Sequence, residues 1–92
     1  MFNMTAHIFV LGFVQGVGFR RYLKSKAKPL GINGWVKNLP DGRVEIFAQG
    51  KKKDIEKLIE IAQKGNIFSM IKGVDVEWEE DKEEFSDFQI LF

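Results

Sequence analysis

A chain of 92 residues has room for one domain, expected here over residues 1–92, and not for a multi-domain machine. Its formal charge of +1 at pH 7 provides no general attraction to nucleic acid or to an anionic membrane, so neither is expected as a partner. The lack of cysteine excludes disulfides and thiolate chemistry and fits a reducing cytoplasm, and the N-terminal apolar run is too short and interrupted for a signal peptide or membrane span.

Ala6 to Phe13 is rich in β-branched and aromatic residues and predicts a first strand. His7, the single histidine, stands at the far end of that strand from the glycines that follow. It reads as a structural or exposed histidine and not as a catalytic base. Next comes Gly12 to Arg20, Gly-Phe-Val-Gln-Gly-Val-Gly-Phe-Arg. Its glycines allow positive φ, so that backbone N–H groups converge on one point. The following helix N-terminus adds partial positive charge there, and Arg20 adds a planar fork of donors suited to phosphate oxygens. A small anion cradle is the expected product. There is no Gly-Lys-Ser/Thr, and Arg21 stands where a Gly-x-Gly-x-x-Gly pattern needs its third glycine, so neither common nucleotide loop is present. The glycines alone fit a ligand-free turn equally well.

Arg21 to Lys28 predicts a helix, with Phe19, Leu23, Ala27 and Leu30 forming one apolar stripe. Lys24, Lys26 and Lys28 lie largely off that stripe and read as a solvated face. Pro29 and Gly31 end the helix. Asn33 to Leu39 predicts a second strand, Leu39-Pro40-Asp41-Gly42 a tight turn, and Arg43 to Gln49 a returning third strand, which makes a hairpin. Lys51 to Lys64 predicts the second helix, its apolar positions Ile55, Leu58, Ile59 and Ala62 at helical spacing, ended by Gly65-Asn66. Lys51, Lys52 and Lys53 at its start read as a solvated run. Ile67 to Lys72 suggests a loop, Val74, Val76 and Trp78 a fourth strand, and Glu79 to Glu84 an acidic turn without calcium-loop spacing. Phe88, Ile90 and Phe92 alternate and close the chain as a short strand.

The order β-α-β-β-α-β plus a terminal strand is the split β-α-β pattern of ferredoxin-like α+β folds. Right-handed crossovers place two helices on one face of a mixed, mostly antiparallel sheet, with the first and third strands as central neighbours. The second strand then runs parallel to the first, so Asn38, near its end, finishes at the edge where the glycine turn opens.

The wording of two stretches adds a resemblance. Gly12-x-Val14-Gln15-Gly16-Val17-x-Phe19-Arg20 is similar to one signature of the acylphosphatase family, and Gly31 to Gly42, containing Gly34-Trp35-Val36-Lys37-Asn38 and Asp41-Gly42, resembles the other. The likeness continues weakly toward the C-terminus and covers nearly the whole chain. Phe13 departs from it, standing where the family often has a basic residue. The resemblance implies the same ferredoxin-like fold and a metal-independent hydrolysis of carboxyl–phosphate anhydrides to carboxylate and inorganic phosphate. By motif match, Arg20 and the loop amides of Gln15, Gly16, Val17, Gly18 and Phe19 bind the phosphoryl group, and Asn38 positions the attacking water.

The residues agree with that chemistry. No cysteine, paired histidines or metal-ligand spacing is present, so no cofactor or metal is expected. An arginine, main-chain amides and a carboxamide neutralise a phosphoryl group and hold a water in line, but they do not protonate a poor leaving group. A carboxylate needs no such help, because its conjugate acid has a pKa of about 4. The expected partners are therefore a small acyl phosphate, with inorganic phosphate or sulfate as competing anions, and a monomeric state. Two other readings exist. Phe9 and Phe47 lie on the central strands, where RNA-binding sheets stack bases, but the RNA-binding octapeptide is absent. Acylphosphatase-like domains also occur inside larger carbamoyl-transfer maturation enzymes; nothing here extends beyond the domain, which favours a stand-alone hydrolase.

Overall fold

The computed structural model describes residues 3–80 and 84–92. Seven elements follow one another: β1 (Met4–Phe13), α1 (Phe19–Ala27), β2 (Asn33–Asn38), β3 (Val44–Gly50), α2 (Lys52–Lys64), β4 (Met70–Glu80) and β5 (Phe88–Leu91). They build one five-stranded sheet in the order β4-β1-β3-β2-β5. β1 and β3 are the central antiparallel pair, as the sequence predicts, and β5 joins β2 in parallel, the pairing that makes the sheet mixed.

The two helices cover one face of this sheet. α1 buries Phe19, Leu23 and Ala27, and α2 buries Ile55, Leu58 and Ala62, which are the stripes their spacing predicts. Against them stand Ala6, Ile8 and Val10 of β1 and Val44, Ile46 and Ala48 of β3, all fully buried. The alternate residues of those strands face away from the helices. At about 25 cal/mol per Å² of apolar area, this interdigitated layer is the main favourable term in folding. Among the described residues no helix is long and apolar enough to cross a membrane.

Several element bounds differ from the sequence reading, and each difference has a cause. α1 begins at Phe19, two residues before Arg21, because Gly18 adopts φ 76° and ψ 16° and lets the helix start directly behind it. Phe19 and Arg20 thereby enter the first helical turn. β4 runs from Met70 to Glu80, longer at both ends than the alternation of Val74, Val76 and Trp78 suggests. Pairing along the whole of β1, from Met4↔Glu80 to Phe13↔Met70, extends it over residues whose own pattern is weak. Glu79 and Glu80 are therefore strand, Glu84 lies in the loop before β5, and the middle of the expected acidic turn, residues 81–83, falls outside the described residues. A register shift between Leu11 and Gly12 bends β1 just before the glycine loop. Gly12 has φ 135° there, and a Cβ would run into the Met70 carbonyl.

Candidate active site

The loop from β1 to α1 is pinned at each side by a carboxamide. Gln15 Nε2 donates to the carbonyls of Leu39, at 2.7 Å, and Arg43, at 3.0 Å, which flank the β2–β3 turn. Asn66 Nδ2 donates to the Val17 carbonyl at 2.9 Å. The Asn66 N–H in turn donates to Ser69 Oγ at 2.8 Å, so the tether is itself held. Between these anchors, Gly16 and Gly18 take φ 73° and 76° while Val17 keeps a negative φ. Alternating hand along a short run turns successive N–H groups toward one concave side. Because a trans peptide sets C=O and N–H on opposite sides, the Val17 carbonyl bonded to Asn66 directs the Gly18 N–H the other way. Among the described residues, no backbone N–H from Gly16 to Arg21 donates to a backbone carbonyl. The first of the run to do so is that of Tyr22, which bonds the Gly18 carbonyl at 3.0 Å and closes the first turn of α1.

Beside this loop lies a hollow of about 220 Å³. Its walls include Gly16, Gly18, Phe19 and Arg20 from the expected set, together with Val14, Arg21, Ile90 and Phe92. Gln15 and Val17 are not walls; their side chain and carbonyl face the tethers. Arg20 is half-buried. Its Nη1 donates to the Leu91 carbonyl at 3.3 Å, and its guanidinium carbon lies 5.0 Å from the centroid of the Phe92 ring. A planar cation held by a carbonyl and a ring face keeps its remaining donors in a fixed fork. No carboxylate pairs with it among the described residues. The arrangement offers convergent N–H donors, a helix N-terminus and an arginine at one hollow, which is the donor set of an anion site.

Asn38 is the last residue of β2, at the sheet end where Leu91 of β5 pairs with Lys37. It is not a wall of the hollow. Its Oδ1 is buried and accepts no hydrogen bond among the described residues, an acceptor left open at that end of the sheet. His7 is elsewhere, on the uncovered face of β1, with Nδ1 3.2 Å from Glu79 Oε1 and Nε2 3.7 Å from Glu45 Oε2. Phe13 is 62% exposed and sits opposite Met70 in the register, so the position where a basic residue is frequent carries an apolar surface.

The sequence reading missed the contributions of Ile90, Leu91, Phe92 and Asn66. The alternation of Phe88, Ile90 and Phe92 marks a strand, but only its parallel seat beside β2 brings that strand to Arg20. Asn66 reads as a helix stop, and nothing local announces its reach to a loop 49 residues away in the chain.

The family model for acylphosphatase matches residues 6–90. The acylphosphatase of Pyrobaculum islandicum is 45% identical over 92 residues, spanning 99% of this chain and 97% of that protein. The crystal structure of acylphosphatase from Bacillus subtilis superposes with a TM-score of 0.94 at 36% identity, covering 97% of this chain and 99% of its own. A crystal structure of full-length HypF in a phosphate- and nucleotide-bound form contains a similar segment, with a TM-score of 0.84 and 32% identity over 98% of this chain but 12% of that one. With the glycine loop and arginine on a ferredoxin-like sheet, and with a family match that spans nearly every described residue, the chain belongs to the acylphosphatase family and is an enzyme of that kind.

Proposed function

We propose that the protein hydrolyses small acyl phosphates without a metal, with Arg20 and the N–H groups of residues 15 to 19 binding the phosphoryl group and Asn38 orienting the attacking water. The observation that carries this reading is the run of N–H groups from Gly16 to Arg21 unclaimed by any backbone carbonyl among the described residues, with Gly16, Gly18, Phe19 and Arg20 walling one hollow. Donors fixed in advance of the reaction stabilise charge that develops on the phosphoryl oxygens, and they need no reorganisation as it develops. Phosphoryl transfer asks for positioning and electrostatics more than covalent help. A carboxylate leaves unprotonated, so no general acid is required at the bridging oxygen.

The unpartnered Oδ1 of Asn38 supports the second role. A buried carboxamide oxygen needs a donor, and in this scheme a water admitted with the substrate supplies one while its lone pair stays free to attack. The carboxamide is too weak a base to keep the proton, which passes in this scheme to a phosphoryl oxygen of the substrate. Inorganic phosphate and sulfate carry the same tetrahedral array of oxygens and compete for the cradle.

Release of phosphate from benzoyl phosphate in the presence of a chelator tests the reaction. Turnover that persists with chelator, and that phosphate and sulfate inhibit competitively, is the expected result. Loss of turnover on chelation would assign the reaction to a metal instead.

A further inference from the structure

The helices leave one face of the sheet uncovered, and that face carries aromatic rings that the anion site does not use. Trp35 of β2 and Phe47 of β3 stack with centroids 5.7 Å apart and planes 18° from parallel. Phe85 meets Phe47 edge-on at 5.1 Å, and His7 meets it edge-on at 4.9 Å. Together they wall a hollow of about 340 Å³, within the range of about 300–1,000 Å³ of small-molecule sites. Glu79 and Glu80, at the end of β4, are also among its walls.

Among the described residues the charge around the rings is mainly negative, with Lys37 the exception: its Nζ lies 3.9 Å from Glu45 Oε1. Glu79 and Glu80 are walls, and Glu45 and Glu77 are register neighbours of this part of β1 and β3. The same row of rings already draws cations at its ends. The Arg43 guanidinium carbon lies 5.0 Å from the Phe9 centroid, and Lys37 Nζ lies 5.2 Å from that of Trp35. Among the described residues no lysine or arginine sits over Phe47 or Phe85, the rings between.

We propose that this hollow binds a small organic cation of the alkylguanidinium class. A flat, weakly hydrated cation stacks on near-parallel rings, and its N–H fork matches carboxylate oxygens at the rim. Anions are disfavoured by the carboxylates of Glu79 and Glu80 among the walls. The volume, within the range of small-molecule sites, favours a small molecule over a protein segment. The site lies on the sheet face opposite the helices and draws on none of the loop residues that face the phosphoryl group.

The test uses Trp35 fluorescence in a Trp78→Phe background, since Trp78 is the second tryptophan and lies over Lys52 instead. The full chain is titrated with n-butylguanidinium chloride at constant ionic strength, and with n-butylurea as an uncharged isostere. A saturable response to the cation with a millimolar Kd, absent with the urea, is expected. Glu79→Gln should weaken binding about tenfold, and Phe47→Leu by a similar factor. Benzoyl phosphate turnover should stay within about twofold in both variants, as neither residue touches the anion cradle. Glu79 is exposed and its exchange leaves the fold intact, so that arm stands even if Phe47→Leu unfolds. Equal response to the urea, unchanged affinity in Glu79→Gln, or no saturation by about 50 mM cation would each overturn the proposal. So would binding seen only with an arginine embedded in a peptide, which would make the face a protein-docking surface.

Discussion

The chain makes two strand-to-helix junctions, and only one of them has the makings of a site. Between β1 and α1 the backbone takes five residues, 14 to 18, with Gly16 and Gly18 in the left-handed region and both sides of the loop tethered. Between β3 and α2 it takes one, Lys51, in an extended conformation with φ −71° and ψ 141°. There the N–H groups of Asp54 and Ile55 both return to the Lys51 carbonyl at 3.0 Å, and three exposed lysines surround the start of the helix. The second junction has more positive side chains and no left-handed residue. Because β1 and β3 are antiparallel, the two junctions also lie at opposite ends of the sheet, so neither assists the other. Charge density and a helix N-terminus are therefore not enough. In the proposed reading a left-handed glycine loop first aims the main-chain donors, and a planar guanidinium fork then suits phosphoryl oxygens better than three ammonium groups do.

Breaking the first junction at its cation should have the largest effect. Arg20→Ala is expected to lower kcat/KM for benzoyl phosphate by about a thousandfold or more, and Arg20→Lys to recover little of it, since an ammonium does not replace the fork. Near-normal turnover by either variant would remove Arg20 from the mechanism. Asn38→Ala comes next. Steady-state kinetics should show kcat down by about a hundredfold while the inhibition constant for phosphate moves little; equal loss in both would make Asn38 a binding residue. Gly18→Ala sharpens the claim that backbone shape builds the cradle. No atom lies close enough to obstruct a Cβ there, with Asn66 Nδ2 nearest at 3.9 Å, so the cost is conformational, about 1–2 kcal/mol of stability by denaturant unfolding. Phosphate affinity should fall about tenfold with it.

The remaining changes should be small. Lys51→Gln with Lys53→Gln strips charge from the second junction. Turnover is expected within about twofold of the parent, and stability should rise by a few tenths of a kcal/mol as repulsion with the helix dipole is relieved. A large loss of turnover would show that the lysine run feeds the anion site after all. The smallest effect concerns Asp41 in the β2–β3 turn. The Arg43 N–H, donating to Oδ1 at 3.1 Å, holds this exposed carboxyl below its ordinary range, helped by Arg43 Nε on Oδ2 at 2.8 Å. A carboxyl with a depressed folded-state pKa contributes stability above its unfolded value and loses it as pH falls through the folded value. Asp41→Asn should therefore be slightly less stable than the parent at pH 7, with the gap narrowing in acid; a gap that widens in acid would refute the assignment.

Much of this contrast is legible in the residues, for identifiable reasons. Gly16, Gly18 and Arg20 announce the first junction because few side chains tolerate positive φ and few carry a planar fork. The helical spacing of Phe19, Leu23 and Ala27 reports a buried stripe, and Pro40-Asp41-Gly42 reports a turn, because both depend on contacts a few residues apart. Glu79 and Glu80 mislead for the opposite reason. Their local composition says turn, but ladder bonds to Met4 and Thr5 hold them in β4. Gln15 enters the sequence reading through its main-chain amide, and nothing local shows that its side chain donates to the carbonyls of Leu39 and Arg43.

By itself the amino-acid order determined the element sequence, the central pairing of β1 with β3, and the left-handed glycine turn with an arginine at the helix start. Each of these follows from near-neighbour geometry or from the handedness of a crossover. Tertiary structure alone decided that β5 sits parallel to β2, that Leu91 and Phe92 seat the Arg20 guanidinium, and that Asn66 holds the Val17 carbonyl. Those partners are dozens of residues apart, and no periodicity encodes them. They meet because burying one apolar face against two helices fixes every strand's register and leaves the loop ends no other neighbours.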